Sequence, residues 1–129
     1  MTVYELMVGD WVLTPAEMPL QVVDIISSKA LLNLSHGKPT YLDVFACKPI
    51  QLTQEILANS GFKLNGSDNV CKWELYENGT LVVVKFYGGG RIKEEVYVED
   101  VLVKADNISF VHQLQHSMKE YGIEKEIKL

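Results

Sequence analysis

The spacing of apolar and polar residues changes character twice along this chain. In the first fifty residues it favours short strands. "LMVGDWVL" places Gly9-Asp10 as a turn before the apolar entry Trp11-Val12-Leu13. "PAEMP" (15 to 19) holds two prolines in five positions and reads as a loop or irregular edge. "LQVVDII" (20 to 26) is rich in β-branched residues, Ser27-Ser28 breaks it, and "KALLNL" (29 to 34) reads as the returning strand. After the loop "SHGKPT" (35 to 40), "YLDVFA" (41 to 46) alternates as a further strand. Strands this short hide their edges and few apolar side chains best by curling, so the expectation is a small SH3-like β-barrel lobe.

From residue 51 the period lengthens. In "LTQEILANSGF" Thr53 is the expected N-cap, Glu55 sits near the positive helix end, and Gly61 stops a short helix tied to a sheet by Leu52, Ile56 and Leu57. "KLNGSDNV" (63 to 70) reads as a turn-rich connection. Strand periodicity then returns. "CKWELY" and "TLVVVKF" flank Asn78-Gly79, the strongest hairpin signal in the chain. Trp73 and Leu75 point one way and Lys72, Glu74 and Tyr76 the other; Val82, Val84 and Phe86 oppose Leu81, Val83 and Lys85. "RIKEEVYVEDVLVKA" (91 to 105) continues as one or two strands with Val96, Val98 and Val101 inward. Asp106-Asn107 is expected to open a longer helix from 108 to about 121, ended by Gly122, and "IEKEIKL" to add an edge strand. The expected fold class is α+β. A lobe over 1–50 precedes a second over 51–129, in which an antiparallel sheet packs against the short helix and the C-terminal helix.

Composition narrows the function classes. Apolar residues make up 47% and charged residues 22%, ordinary for a compact globule. With 17 acidic against 12 basic residues the net charge is −5, which gives no general attraction to nucleic acid or anionic lipid. No apolar run approaches the roughly 20 residues of a membrane-spanning helix, and the opening "MTVYELMVGD" lacks the pattern of a signal peptide. Cys47 and Cys71 form no CxxC pair and read as reduced thiols of a cytoplasmic protein, with Cys47 buried at least in part.

Candidate chemistry is sparse. His112 and His116 in "FVHQLQHSM" have the four-residue spacing of paired zinc ligands, and Glu120 extends the row. A helical projection gathers Phe110, Val111, Leu114, Met118 and Tyr121 on one side and sets both histidines on the other. Gln113 stands where HExxH metalloproteases carry their glutamate, so a polar helix face is the favoured reading and no metal or cofactor is assigned. The glycines of "YGGGR" (87 to 91) lie between strands without a following helix, which favours a mobile hairpin loop over a phosphate cradle. Glu94-Glu95 and Glu99-Asp100 read as solvated pairs, and no serine sits in a nucleophile elbow. Lys85, Tyr87, Arg91 and Lys93 gather as a small basic patch with aromatic company. Trp11, Tyr41, Trp73, Tyr76, Phe86, Tyr87 and Tyr97 are more aromatics than one thin sheet covers on both sides.

Two phrases carry a resemblance. "PIQLTQEILANSGF" (49 to 62) and "FVHQLQHSM" (110 to 118) together resemble a family of small uncharacterised proteins of gut Bacteroidales and their phages or mobile elements. That family reads Pro-Ile-Pro-Leu-Thr, an acidic pair, Ile-Leu, Gly-Phe and later Tyr-Val-His-Gln-Leu-Gln. Pro49, Ile50, Leu52, Thr53, Glu55, Ile56, Leu57, Gly61 and Phe62 match the first phrase, and Val111 to Gln115 the second. Gln51, Gln54 and Phe110 depart from it, and His116 stands where asparagine is common. The resemblance implies a bacterial or phage accessory protein and supplies no catalytic residue.

The expectation is therefore a non-enzymatic protein-interaction or assembly module, self-associating as a homodimer or binding another protein away from membranes. Its contact candidates are Trp73, Tyr76, Phe86, Tyr87, Arg91 and His112. A nucleic-acid-associated accessory protein is the alternative, and a hydrolase-like enzyme with a site at the lobe junction a weaker one.

Overall fold

The computed structural model describes residues 6–26, 29–33, 40–43, 46–66 and 69–129. The chain is α+β, with two antiparallel sheets and two helices among the described residues, and it divides into two compact units. The first comprises residues 1–51 with 110–112, and the second 52–109 with 113–129.

In the first unit β1 (Trp11–Leu13), β2 (Pro19–Ile26), β3 (Lys29–Asn33) and β4 (Thr40–Asp43) form a sheet in sequential order. Gly9, at φ +95°, makes the turn into β1, and the Asp10 carboxylate accepts from the Met7 amide at 2.8 Å. Val12, Leu20, Val22 and Cys47 form a small core with Leu6. The sheet does not close into the expected barrel. The outer edge of β1 is taken instead by Lys48, which exchanges two 2.8 Å backbone bonds with Leu13, so β1 and β4 do not pair. Leu34, the loop at 35 to 39 and the end of the last expected strand, Val44-Phe45, lie outside the described residues, as does the side chain of Tyr41.

The second unit opens with α1 (Gln54–Asn59), whose N-cap Thr53 accepts from the Ile56 amide at 3.3 Å. A five-stranded meander follows, of β5 (Lys63–Leu64), β6 (Val70–Glu77), β7 (Thr80–Tyr87), β8 (Ile92–Val98) and β9 (Val101–Ile108). The connection at 63 to 70 thus hides a two-residue strand, Lys63 facing Glu74 and Leu64 facing Trp73. The last helix, α2 (Val111–Glu120), starts later than expected, because the strand pairing of β9 runs on to Ile108 and takes Asp106 and Asn107 into the ladder. Both helices end in the same way. Gly61 and Gly122 adopt φ of +92° and +72°, and the amides of Phe62 and Ile123 reach back to Leu57 and Met118 while their side chains are buried.

The C-terminal segment is not a strand. It is held by its own contacts: the Glu124 amide donates to Glu77 Oε2 at 3.0 Å, and the Lys128 amide to Ser60 Oγ at 2.8 Å. Ile123 and Ile127 are buried between these anchors.

Two turns set the meander's register. Asn78 and Gly79 both have positive φ (+50° and +81°), as a type I′ hairpin requires. Glu99 and Asp100 adopt the same conformation (+50° and +68°) without a glycine, so the β8–β9 turn carries backbone strain. Replacing Glu99-Asp100 by Asn-Gly is expected to stabilise the protein by about 1 kcal/mol, read as a rise in the urea midpoint at unchanged slope.

Candidate functional site

The ladder registers assign each side chain of the meander to a face. On one face lie Trp73 and Leu75, Val82, Val84 and Phe86, Ile92, Glu94 and Val96, and Lys104, Asp106 and Ile108. Both helices are tied to it. The Trp73 indole donates to Gln54 Oε1 of α1 at 2.8 Å, and Lys104 Nζ donates to Ser117 Oγ of α2 at 2.7 Å.

The opposite face is organised in rows across the strands. Tyr76, Leu81, Tyr97 and Leu102 are successive cross-strand partners and form an aromatic–aliphatic row over four strands. Its ends are open, Tyr76 being 70% and Leu102 48% exposed. The next row is Glu74, Val83, Glu95 and Ala105, and the one after it Lys72, Lys85, Lys93 and Asn107. Like charges facing each other across strands repel, so three lysines in register need the neighbouring acids. Glu95 meets Lys85 at 2.7 Å and Lys93 at 3.7 Å, and Glu74 meets Lys72 at 3.2 Å. Beside the glycine loop, the Arg91 guanidinium stacks 4.3 Å above the Tyr87 ring.

Neighbouring Glu94 and Glu95 meet opposite fates, and neither is the solvated acid expected. Burial works to raise the Glu95 carboxyl, but the hydrogen bond and charge of Lys85, helped by Lys93 and Tyr97, outweigh it and hold it below the ordinary range. The Lys85 ammonium is correspondingly raised by Glu95, against a smaller opposing effect of burial. Glu94 is 0% exposed on the helix-covered face, where its polar neighbours are the Ser117 hydroxyl and Lys104 Nζ, the latter 3.9 Å away. Burial pushes it up to about 7, against the pull of the Ser117 hydroxyl and the Lys104 charge.

The contact candidates from the sequence are divided by this arrangement. Trp73 and Phe86 belong to the helix-covered face, Tyr76 and Tyr87 with Arg91 to the opposite one. His112, expected on the polar side of its helix, is buried at 5% exposure and stacks on Phe110 at 5.9 Å. Residues 110–112 belong to the first unit and residues 113–120 of α2 to the second, a division that a projection of the whole helix does not register. Val101, expected inward, is 62% exposed at the sheet edge. His112, His116 and Glu120 are not gathered around a common point; no group of three or more metal-ligating side chains forms among the described residues. Cys47 is buried, Cys71 half-buried, and neither is in a disulfide.

One chemical pairing escaped the sequence reading. Lys104 and Ser117 make the contact seen in serine–lysine hydrolases, yet Ser117 is 1% exposed and its lysine is shared among Glu94, Asp106 and Glu120 at 3.7 to 3.9 Å. A nucleophile must be reached by substrate, and this one is sealed beneath its helix. No helix among the described residues is long and apolar enough to cross a membrane.

The Glu95 pairing has a definite pH sign. A carboxyl held low in the folded state contributes stability above its unfolded value and loses it as pH falls through the folded one. The difference in urea midpoint between the native protein and Glu95→Gln is therefore expected to be largest near pH 6 and to shrink steadily towards pH 3.

Comparison with protein-family models, with curated proteins and with solved structures gives no match for this chain, so its function has to be argued from these faces alone.

Proposed function

We propose that this protein is a non-enzymatic interaction or assembly module, working through the face of its five-stranded sheet that the helices leave open. The observation that carries this reading is the row Tyr76–Leu81–Tyr97–Leu102. Tyrosines held on a rigid sheet offer large contact area at little entropic cost, and the lysine and glutamate rows beside them supply a polar rim. The partner is a second copy of the chain or another protein. The resemblance to Bacteroidales and phage proteins supports a bacterial or phage accessory role, and two cysteines outside any disulfide suit the reducing cytoplasm. In the same reading the first lobe keeps an SH3-like succession of hairpins without barrel closure.

A second reading has its own observation. The in-register lysines 72, 85 and 93, with Arg91 stacked on Tyr87, form the basic and aromatic surface on which single-stranded nucleic acid is held. The acid row neutralises much of that charge, which is why the protein-contact reading is preferred.

The two readings separate experimentally. Double substitution of Tyr76 and Leu102 by serine is expected to leave the circular dichroism unchanged and to lower association at least tenfold. Association is measured by light scattering for the self-complex and by photo-crosslinking from position 76 in cells for another protein. Salt-dependent binding of a single-stranded oligonucleotide that is lost in Lys93→Gln and kept in the serine double variant would establish the second reading instead. A protein that neither associates, crosslinks nor binds the oligonucleotide would defeat both.

A further inference from the structure

Glu94 takes no part in the contact face, and its placement is costly. A fully buried carboxylate with little compensating hydrogen bonding or charge is destabilising when ionised. Its surroundings are short of positive charge. From β9 it faces Lys104 at 3.9 Å and Asp106, from α2 the Ser117 hydroxyl and Glu120, and its cross-strand neighbour on β7 is Val84. Lys104 lies 3.9 Å from Asp106 and 3.7 Å from Glu120 while donating to Ser117 at 2.7 Å. One ammonium serves three carboxylates, and the one that water cannot reach is Glu94.

We propose that Glu94 is a proton-operated latch beneath residues 113–120 of α2. Neutral, it lets the helix lie on the sheet with Lys104 bound to Ser117. Ionised, it draws Lys104 away from Ser117 and Glu120 and loosens the helix. The effect does not stop at the helix end. The Gly122 turn joins α2 to the segment whose amides bind Glu77 and Ser60, and Ser60 Oγ also donates to the Ile56 carbonyl at the end of α1. A loosened α2 thereby frees the C-terminal segment and uncovers Glu94 and Lys104 on the sheet beneath it.

The sign follows from linkage. An acid held above its unfolded value binds its proton more tightly in the closed state, so closure weakens as pH rises from the ordinary carboxylate range through neutrality. The test is amide hydrogen exchange between pH 5 and pH 8.5, corrected for intrinsic exchange rates, over residues 113–128. In the native protein the opening equilibrium is expected to grow by about 10- to 100-fold across this range, and in Glu94→Gln to stay level. Two further variants move the midpoint in opposite directions. Lys104→Met removes the charge that favours ionisation and shifts it to higher pH; Asp106→Asn, at an exposed side chain that tolerates change, removes a repulsion and shifts it lower. A flat native profile, a pH dependence that survives in Glu94→Gln, or midpoints unmoved in a folded Asp106→Asn protein would overturn the proposal.

Discussion

Strand register in the β6–β9 meander is the constraint on which the rest of the second unit depends. The side-chain period of a strand is two, so a slip of one residue would exchange the two faces entirely. Lys72, Glu74 and Lys85 would then lie beneath the helices, while Trp73, Val84 and Phe86 would face water. Burying even one of those lysines without its acid costs several kcal/mol, which sets the native register well apart from its neighbours. Asn78-Gly79 fixes it at one end by a turn that few other dipeptides adopt. At the other, strained turn the register is adjusted, since Val96 faces Lys104 and Tyr97 faces Leu102, leaving Val103 as an extra residue. The turn itself sets Leu102 opposite Tyr97, and the bulge beyond it turns Lys104, Asp106 and Ile108 onto the helix-covered face.

The same alternation separates Glu94 from Glu95. Consecutive residues of one strand point to opposite faces, and here the two sides differ in everything that governs ionisation. Glu95 emerges between two lysines and becomes the charge that lets the lysine row exist. Glu94 enters beside Val84, under a helix, with a distant and much-shared lysine. Identical side chains one residue apart are thus pushed in opposite directions, one carboxyl held low by its lysines and the other raised by burial.

Much of this was legible in the letters, and the failures have physical causes. Alternation gave the facing of "KWELY" and "TLVVVKF" correctly, and Thr53, Gly61 and Gly122 marked helix ends, because turns and caps are local decisions. The burial of Glu94 was also within reach: Ile92, Glu94 and Val96 share one parity, and only the habit of reading adjacent acids as solvated hid it. His112 was beyond such reasoning, since a helical projection treats 108–121 as one element while His112 belongs to the first unit and residues 113–120 to the second. Barrel closure depended on which segment claims the far edge of β1, a long-range competition that Lys48 wins and local pattern does not encode. The Lys104–Ser117 contact joins a strand and a helix whose relative placement no local rule supplies.

The argument against catalysis is one of placement. Serine, lysine and a raised carboxyl do occur together here, as acid–base and nucleophilic chemistry require. They meet, however, where the helix meets the sheet, and the lysine's nearest contact is the hydroxyl it would have to leave accessible. What the molecule offers to solvent is different in kind: tyrosines and a leucine in line, edged by paired charges that repel neither sign strongly. Reactive groups held inside and aromatic and aliphatic groups held outside support the proposed interaction module rather than a catalytic one. The proposed latch at Glu94 lies on the opposite, helix-covered face, so its response to pH is separate from the row on which the contact reading rests.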